Sequence, residues 1–278
     1  MQDAKAIVYE GMRGARAWVN RAMDARWDND PFGRQPHASR EEYLRLFEET
    51  RRKEYPQVDA VEAETGFAVD RAWLDDLALH TQIVKKKSDL GYPHGRLLYS
   101  ILRRYIAHSG ERFVTVVETG TARGFSALCM AKAIADAGID GRVVTVDVLP
   151  HLKRQIWNCI DDHEGRKSRA ELLAPWSELA RKVVFLQGDT LYLLPRIGVD
   201  RVNFAFLDAQ HIRSSVLHEF GFVAERQQAG DMVFFDDVTP AVFPGVVQAV
   251  DDIEAGGQYE FKRLTISDQR AYAWARRR

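Results

Sequence analysis

A doubly wound, mostly parallel α/β sheet of seven strands, closed by an antiparallel hairpin and preceded by a helical extension, is the fold this sequence predicts. Three observations carry that reading. From about residue 95, short β-branched or aromatic runs alternate with helical segments, the pattern of parallel strands joined by crossover helices. The first of those runs ends in Glu118-Thr119-Gly120-Thr121-Ala122-Arg123-Gly124-Phe125-Ser126, a strand feeding a glycine turn at a helix start. The last two runs, 259–266 and 270–276, are joined only by Ser267-Asp268-Gln269, a hairpin connection rather than a crossover.

Taken in order, residues 1 to about 80 lack β-runs and read as mostly helical. Residues 28–33 form a turn-rich link, and Ser39 is placed to cap a helix beginning at Arg40, with Glu42 at the capping-box position. Residues 72–79 give a second amphipathic helix. The apolar stripes of these helices need a partner surface. Residues 1–80 are therefore expected to form a helical cap or oligomerisation arm, residues 81–278 the main domain, and the chain a homo-oligomer. Buried strands are expected at 113–118, 142–148, 182–187, 202–207 and 232–235, and a helix at 127–137. The crossover between Pro150 and Arg181 is long and polar, and insertions of this kind are often functional.

The bulk properties narrow the function classes. With 278 residues, 46% hydrophobic and 28% charged, the composition is that of a globular protein. A net charge of −1 gives no electrostatic reason to expect nucleic acid. The runs Lys85-Lys86-Lys87 and Arg276-Arg277-Arg278 read as solvated faces. No apolar run approaches a membrane span, no targeting segment fits the N-terminus, and the expected compartment is the cytoplasm. Cys129 and Cys159 make neither a disulfide framework nor a metal knuckle, and Cys129 falls in an apolar helical run as a core residue.

The glycine turn is wider than the dinucleotide fingerprint, and Glu118 stands two residues before its first glycine. An acid there repels a pyrophosphate and suits a cationic ligand. This stretch resembles the first motif of the class I S-adenosylmethionine-dependent methyltransferases, which has the form E-x-G-x-x-x-G. The resemblance implies a Rossmann-like sheet with S-adenosylmethionine held at Glu118, Gly120, Thr121, Gly124 and Ser126. Asp147 ends the second strand, where an acid can hold ribose hydroxyls. Gly188 and Asp189 follow the third. The resemblance implies a contact from Asp189 to the adenine amino group; a helix N-cap is an equally physical reading of the same residue.

The fourth strand ends at Asp208 and the fifth at Asp236-Asp237. In this fold those ends are neighbours, so three carboxylates converge at the mouth of the sheet. Unpaired, they would be electrostatically costly, and an oxygen-rich cluster suits Mg²⁺ or another divalent cation. The arrangement resembles the metal-dependent O-methyltransferases of the catechol and sugar types. The resemblance implies Asp208, Asp236 and Asp237 as metal ligands, with Asp208 also beside the cofactor. His211 stands three residues past Asp208, where the catechol type has a lysine base; Gln210 occupies the sugar-type base position and cannot accept a proton. His211 is the expected base, with His163 and Glu164 in reserve. The expected function is metal-assisted methyl transfer to a hydroxyl of a small molecule, a sugar, glycosylated metabolite or catechol-like compound. An accessory protein that holds S-adenosylmethionine without turnover is the alternative. A nicotinamide-dependent oxidoreductase is disfavoured by the glycine spacing and Glu118.

Overall fold

A computed structural model describes residues 30–278 of the chain. The helical reading of residues 1–29 lies outside the described residues. Four helices precede the sheet: α1 (Arg40–Arg52), α2 (Pro56–Thr65), α3 (Arg71–Thr81) and α4 (Tyr92–Ser109). Each start has a local cause. The Ser39 hydroxyl accepts from the Glu42 N–H at 3.2 Å, α2 opens with Pro56, and the Asp70 carboxylate accepts from the Trp73 N–H at 2.7 Å. The Glu42 carboxylate does not close a capping box; it pairs with Lys85 instead.

The sheet then follows as β1 (Phe113–Thr119), β2 (Asp140–Asp147), β3 (Val183–Gln187), β4 (Phe204–Leu207), β5 (Met232–Phe235), β6 (Tyr259–Ser267) and β7 (Arg270–Arg277). Its order is β3-β2-β1-β4-β5-β7-β6, with β1 to β5 parallel and the hairpin antiparallel. Helices α5 (Phe125–Asp136), α6 (Arg213–Ala224) and α7 (Pro244–Ala255) are the long connections. This is the predicted seven-stranded topology.

The double winding can be read residue by residue. Val114 and Val116 of β1 join an apolar cluster on one face, and Val117 joins the cluster on the other. Phe204 and Phe206 alternate in the same way with Ala205 and Leu207, as does Phe234 with Val233 and Phe235. The first cluster also contains Val58, Val61, Leu74 and Leu77. Helices α2 and α3 thus bury their stripes against this chain's own core, while α1 packs Tyr43 with Ile83 and Ile160 in a smaller cluster. One expectation needs correction: β3 is an edge strand, and only Val183 in it is buried. Its apolar run resembles those of the inner strands, but no strand covers its far side.

The strand order reverses between β1 and β4, where β1 turns outward to β2 on one side and the chain later returns on the other. Ligands of doubly wound sheets bind beyond the strand ends at such a point. No described helix is long and apolar enough to cross a membrane.

Candidate active site

The glycine turn leaves β1 at Glu118, whose carboxylate is fully buried and accepts from the hydroxyls of Ser126 and Thr145. Burial pushes its pKa up to about 7, against the pull of those two hydrogen bonds. Glu118 therefore braces the turn from behind. Gly120 has φ +89°, and a Cβ there would stand 2.2 Å from the backbone oxygen of Asp208. The glycine is required by the close approach of the β4 end, a protein contact rather than the ligand approach that its position suggests. Asp147 latches the same turn: its carboxylate accepts from the N–H groups of Ala122 at 2.6 Å and Leu149 at 2.7 Å. The guanidinium of Arg169, itself buried in the long insertion, lies 3.7 Å from it and also donates to the Ala122 carbonyl.

A cavity of about 350 Å³ opens in front of the turn, a size suited to a small molecule. Of the sequence-predicted cofactor residues, Gly120, Thr121, Ser126 and Asp208 line it. Glu118 and Asp147 stand behind the lining. Gly124 is backed by Leu173, and Asp189 caps a short helical turn by accepting from the Leu191 N–H at 2.9 Å. Gly188 donates to the Asp147 carbonyl at 2.8 Å. The reserve bases lie elsewhere. His163 contacts the Ala38 carbonyl, and Glu164 pairs with Lys167.

The three mouth carboxylates do converge on this cavity, together with His211. Asp237 adopts φ 57°, which turns the chain as it leaves β5. The imidazole Nε2 of His211 lies 2.9 Å from Asp237 and 3.6 Å from Asp208, and its ring stacks on Phe243 at 4.2 Å. Gly245 makes that packing possible, because a Cβ there would meet the His211 carbonyl at 2.8 Å. Burial pulls the His211 pKa down, but the two carboxylates outweigh it and hold the group up at about 10. Asp208 shows the converse: burial and the neighbouring Asp236 push it up to about 8, although its side chain keeps 23% of its surface exposed.

Two residues that sequence reasoning missed complete the cluster. Arg270, the first residue of β7, is buried and donates through one nitrogen to Asp236 at 2.9 Å and Asp237 at 2.6 Å. Its second terminal nitrogen donates to the Asp89 carbonyl at 2.7 Å. His94 of α4 places Nδ1 3.0 Å from Asp236, with its ring against Phe125 and Phe206. Burial would raise the Asp236 pKa, but Arg270 and His94 hold it well below the usual carboxylate range. The available signal was an arginine heading an otherwise Ala-Tyr-Ala-Trp-Ala strand.

The donors fit a cation. Asp208 with Asp236 and His94, and Asp208 with Asp237 and His211, each bring one ligand atom per residue within 4.8 Å of the others. Asp208 is common to both groups and has the weakest partners of the three acids, which leaves it free to bind. Each group adds a histidine nitrogen to the carboxylates, so Mn²⁺, Fe²⁺ or Zn²⁺ would suit the donors as well as Mg²⁺.

Residues 117–238 match a family described as a methyltransferase domain. Several solved structures share the fold. The O-methyltransferase TomG from Streptomyces achromogenes, involved in tomaymycin synthesis and solved with SAM, is 20% identical, with 76% of this chain and 92% of that one covered and a TM-score of 0.53. Cofactor-bound Rv0187 from MTB is 18% identical over 81% and 91%, with a TM-score of 0.52. A putative O-methyltransferase from Klebsiella pneumoniae is 16% identical over 81% and 91%, at 0.50. No curated protein matches the chain. Residues 117–238 thus resemble a methyltransferase domain, and the described chain shares the fold of these structures, the class I methyltransferase topology that the first motif implied.

Proposed function

We propose that this protein is an S-adenosylmethionine-dependent O-methyltransferase of a small hydroxylated molecule, assisted by a divalent cation at Asp208, Asp236 and Asp237. The observation that carries the reading is the shared cavity: the turn residues Gly120, Thr121 and Ser126 line it together with the three carboxylates and His211. TomG, solved with SAM, supports the cofactor class, and the O-methyltransferase descriptions of TomG and the Klebsiella pneumoniae protein support a hydroxyl as acceptor.

S-adenosylmethionine would supply a methyl group already activated on a sulfonium, so the protein's task is alignment and a better nucleophile. A divalent cation would supply the charge that makes a bound hydroxyl more acidic. Asp208, common to both donor groups, would fix the acceptor hydroxyl beside the turn. His211 would take its proton at Nε2. In the cation-free protein Asp237 and Asp208 hold that nitrogen protonated, so its ability to accept a proton depends on how strongly those carboxylates are engaged elsewhere. Phe243 keeps the ring in place, and Val84, Gly91 and His94 of the segment before and within α4 also line the cavity.

The test is release of S-adenosylhomocysteine from S-adenosylmethionine in the presence of paired vicinal diols, with Mg²⁺ or Mn²⁺ added or EDTA present. Turnover that needs the metal is expected, with cofactor binding by calorimetry surviving EDTA. Turnover unaffected by EDTA would remove the cation from the account. Binding without turnover across sugar and catechol acceptors would favour an accessory role.

A further inference from the structure

A second cavity, of about 260 Å³, adjoins the first, and Val84, Lys86 and Arg270 line both. The smaller cavity contains none of the three mouth carboxylates. Its wall carries four basic side chains, Lys53, Lys85, Lys86 and Arg270, and two acidic ones, Glu49 and Asp89. Most of these charges are already matched. Arg270 binds Asp236 and Asp237, Lys53 stands 3.8 Å from Asp89, Lys85 pairs with Glu42, and Glu49 pairs with Arg45. Lys86 has no ion pair among the described residues. Its side chain is exposed and lines both cavities, so it can meet a ligand at their junction.

We propose that the acceptor spans both cavities and bears an anionic group, a carboxylate or phosphate, that Lys86 holds in the smaller one. The inference rests on the methyltransferase reading and names the acceptor class for it. The physical argument is a polarity along the cavity pair. At one end, the mouth carboxylates already engage Arg270 and His211, so an acid group gains little from those cations. At the other, Lys86 keeps a charge with no ion pair among the described residues and attracts the acid group. A hydroxylated acid can enter in only one favourable orientation, with its hydroxyl at Asp208 and its anion at Lys86. A neutral acceptor gains nothing from that gradient, and an amine is drawn to the wrong end. Lys86 is then a specificity residue rather than a participant in methyl transfer. The lysine run is more than a solvated face, because its middle residue reaches the site.

The experiment measures binding of two scaffolds, each in neutral and acidic form, to the full chain by calorimetry: catechol against 3,4-dihydroxybenzoate, and glucose against glucose 6-phosphate. The acidic member of at least one pair should bind about tenfold tighter or more, the worth of one charge-assisted hydrogen bond. Lys86→Gln should erase that preference, Lys86→Arg should restore it, and Lys86→Glu should turn it toward dopamine. Lys87→Gln, whose side chain lines neither cavity, should leave it as in the wild type. No acid preference in either pair, or a preference that survives Lys86→Gln, overturns the proposal. Release of S-adenosylhomocysteine is scored separately on the same compounds. Turnover without acid preference would remove this inference and leave the methyltransferase reading standing. Acid preference lost in Lys86→Gln, with no turnover of any compound, would do the reverse.

Discussion

At the β1–β2 corner of the sheet, Glu118 is met by the hydroxyls of Ser126 and Thr145, and Asp147 by backbone N–H groups with Arg169 behind it. At the β4–β5 corner, Asp208, Asp236 and Asp237 face Arg270, His94 and His211. Both corners place acids at the carboxyl ends of parallel strands, and in the sequence they look alike. Their partners make them differ. Neutral donors around Glu118 let it rest protonated and hold a backbone shape, whereas cationic donors around Asp236 keep it ionised, and with Asp237 it faces a cavity. An acid at a strand end is thus a scaffold or a reactive group according to what the rest of the chain brings against it.

Removing the cation from the second corner should have the largest effect. Arg270→Met leaves Asp236 and Asp237 buried without their main partner, and should cost about 3–5 kcal/mol of stability in chemical denaturation. A loss below about 1 kcal/mol would mean that the two corners are electrostatically alike.

The first corner should respond in the opposite sense. Glu118 has a folded pKa of about 7 against an ordinary value of 4.5, so the folded state binds its proton more tightly than the unfolded chain. Stability that is present below pH 4.5 is lost as pH rises toward about 7, and the loss persists above it. Glu118→Gln keeps groups able to hydrogen bond with both hydroxyls and removes the ionisation, so at pH 8 it should gain up to about 3 kcal/mol. Glu219, also pushed up to about 7 by burial while it accepts from Thr119 and Thr190, would retain a second slope of the same sign. A Glu118→Gln protein less stable than wild type at pH 8 would show that the charge itself holds the turn.

Gly120 is where the two corners touch. Gly120→Ala meets the Asp208 backbone at φ +89°, and should cost about 1–3 kcal/mol from strained backbone alone. It should also lower any activity of the mouth. Unchanged melting would mean that the two strand ends can separate freely.

The smallest expected effect is at His211, whose imbalance is screened by solvent because its side chain keeps 34% of its surface exposed. Its folded pKa of about 10 lies above the ordinary 6.5, so its contribution is fully present below pH 6.5 and is lost as pH rises through 10. In EDTA, His211→Gln should remove that alkaline slope from a melting-temperature series. An unaltered slope would mean that the carboxylates do not hold the ring.

The fold was legible because local pattern and global topology agree: β1, β4 and β5 alternate cleanly, and Ser267-Asp268-Gln269 is too short for anything but a hairpin. The acids and His211 were legible because each closes its own strand or follows it directly. His94, Lys86 and Arg270 were not, since they reach the mouth from two stretches of chain, residues 86–94 and the start of β7, far from the strand-end motifs. Their roles depend on tertiary placement, which no spacing within one motif encodes. The same reason hid β3's edge position and the Gly120–Asp208 contact, both of which are relations between strands.

The most direct measurement compares S-adenosylhomocysteine binding and methyl transfer in one variant, Asp237→Ala. This substitution disarms the β4–β5 corner and leaves the glycine turn untouched. The account predicts cofactor affinity close to wild type, because Asp237 is assigned to the cation and the glycine turn to the cofactor, although both line one cavity. It also predicts a loss of turnover of about 10²–10⁴, because losing Asp237 removes a cation donor and releases the ring of the proton acceptor, His211. Turnover at the wild-type rate, with either outcome for binding, would contradict the placement of the chemistry at the mouth carboxylates.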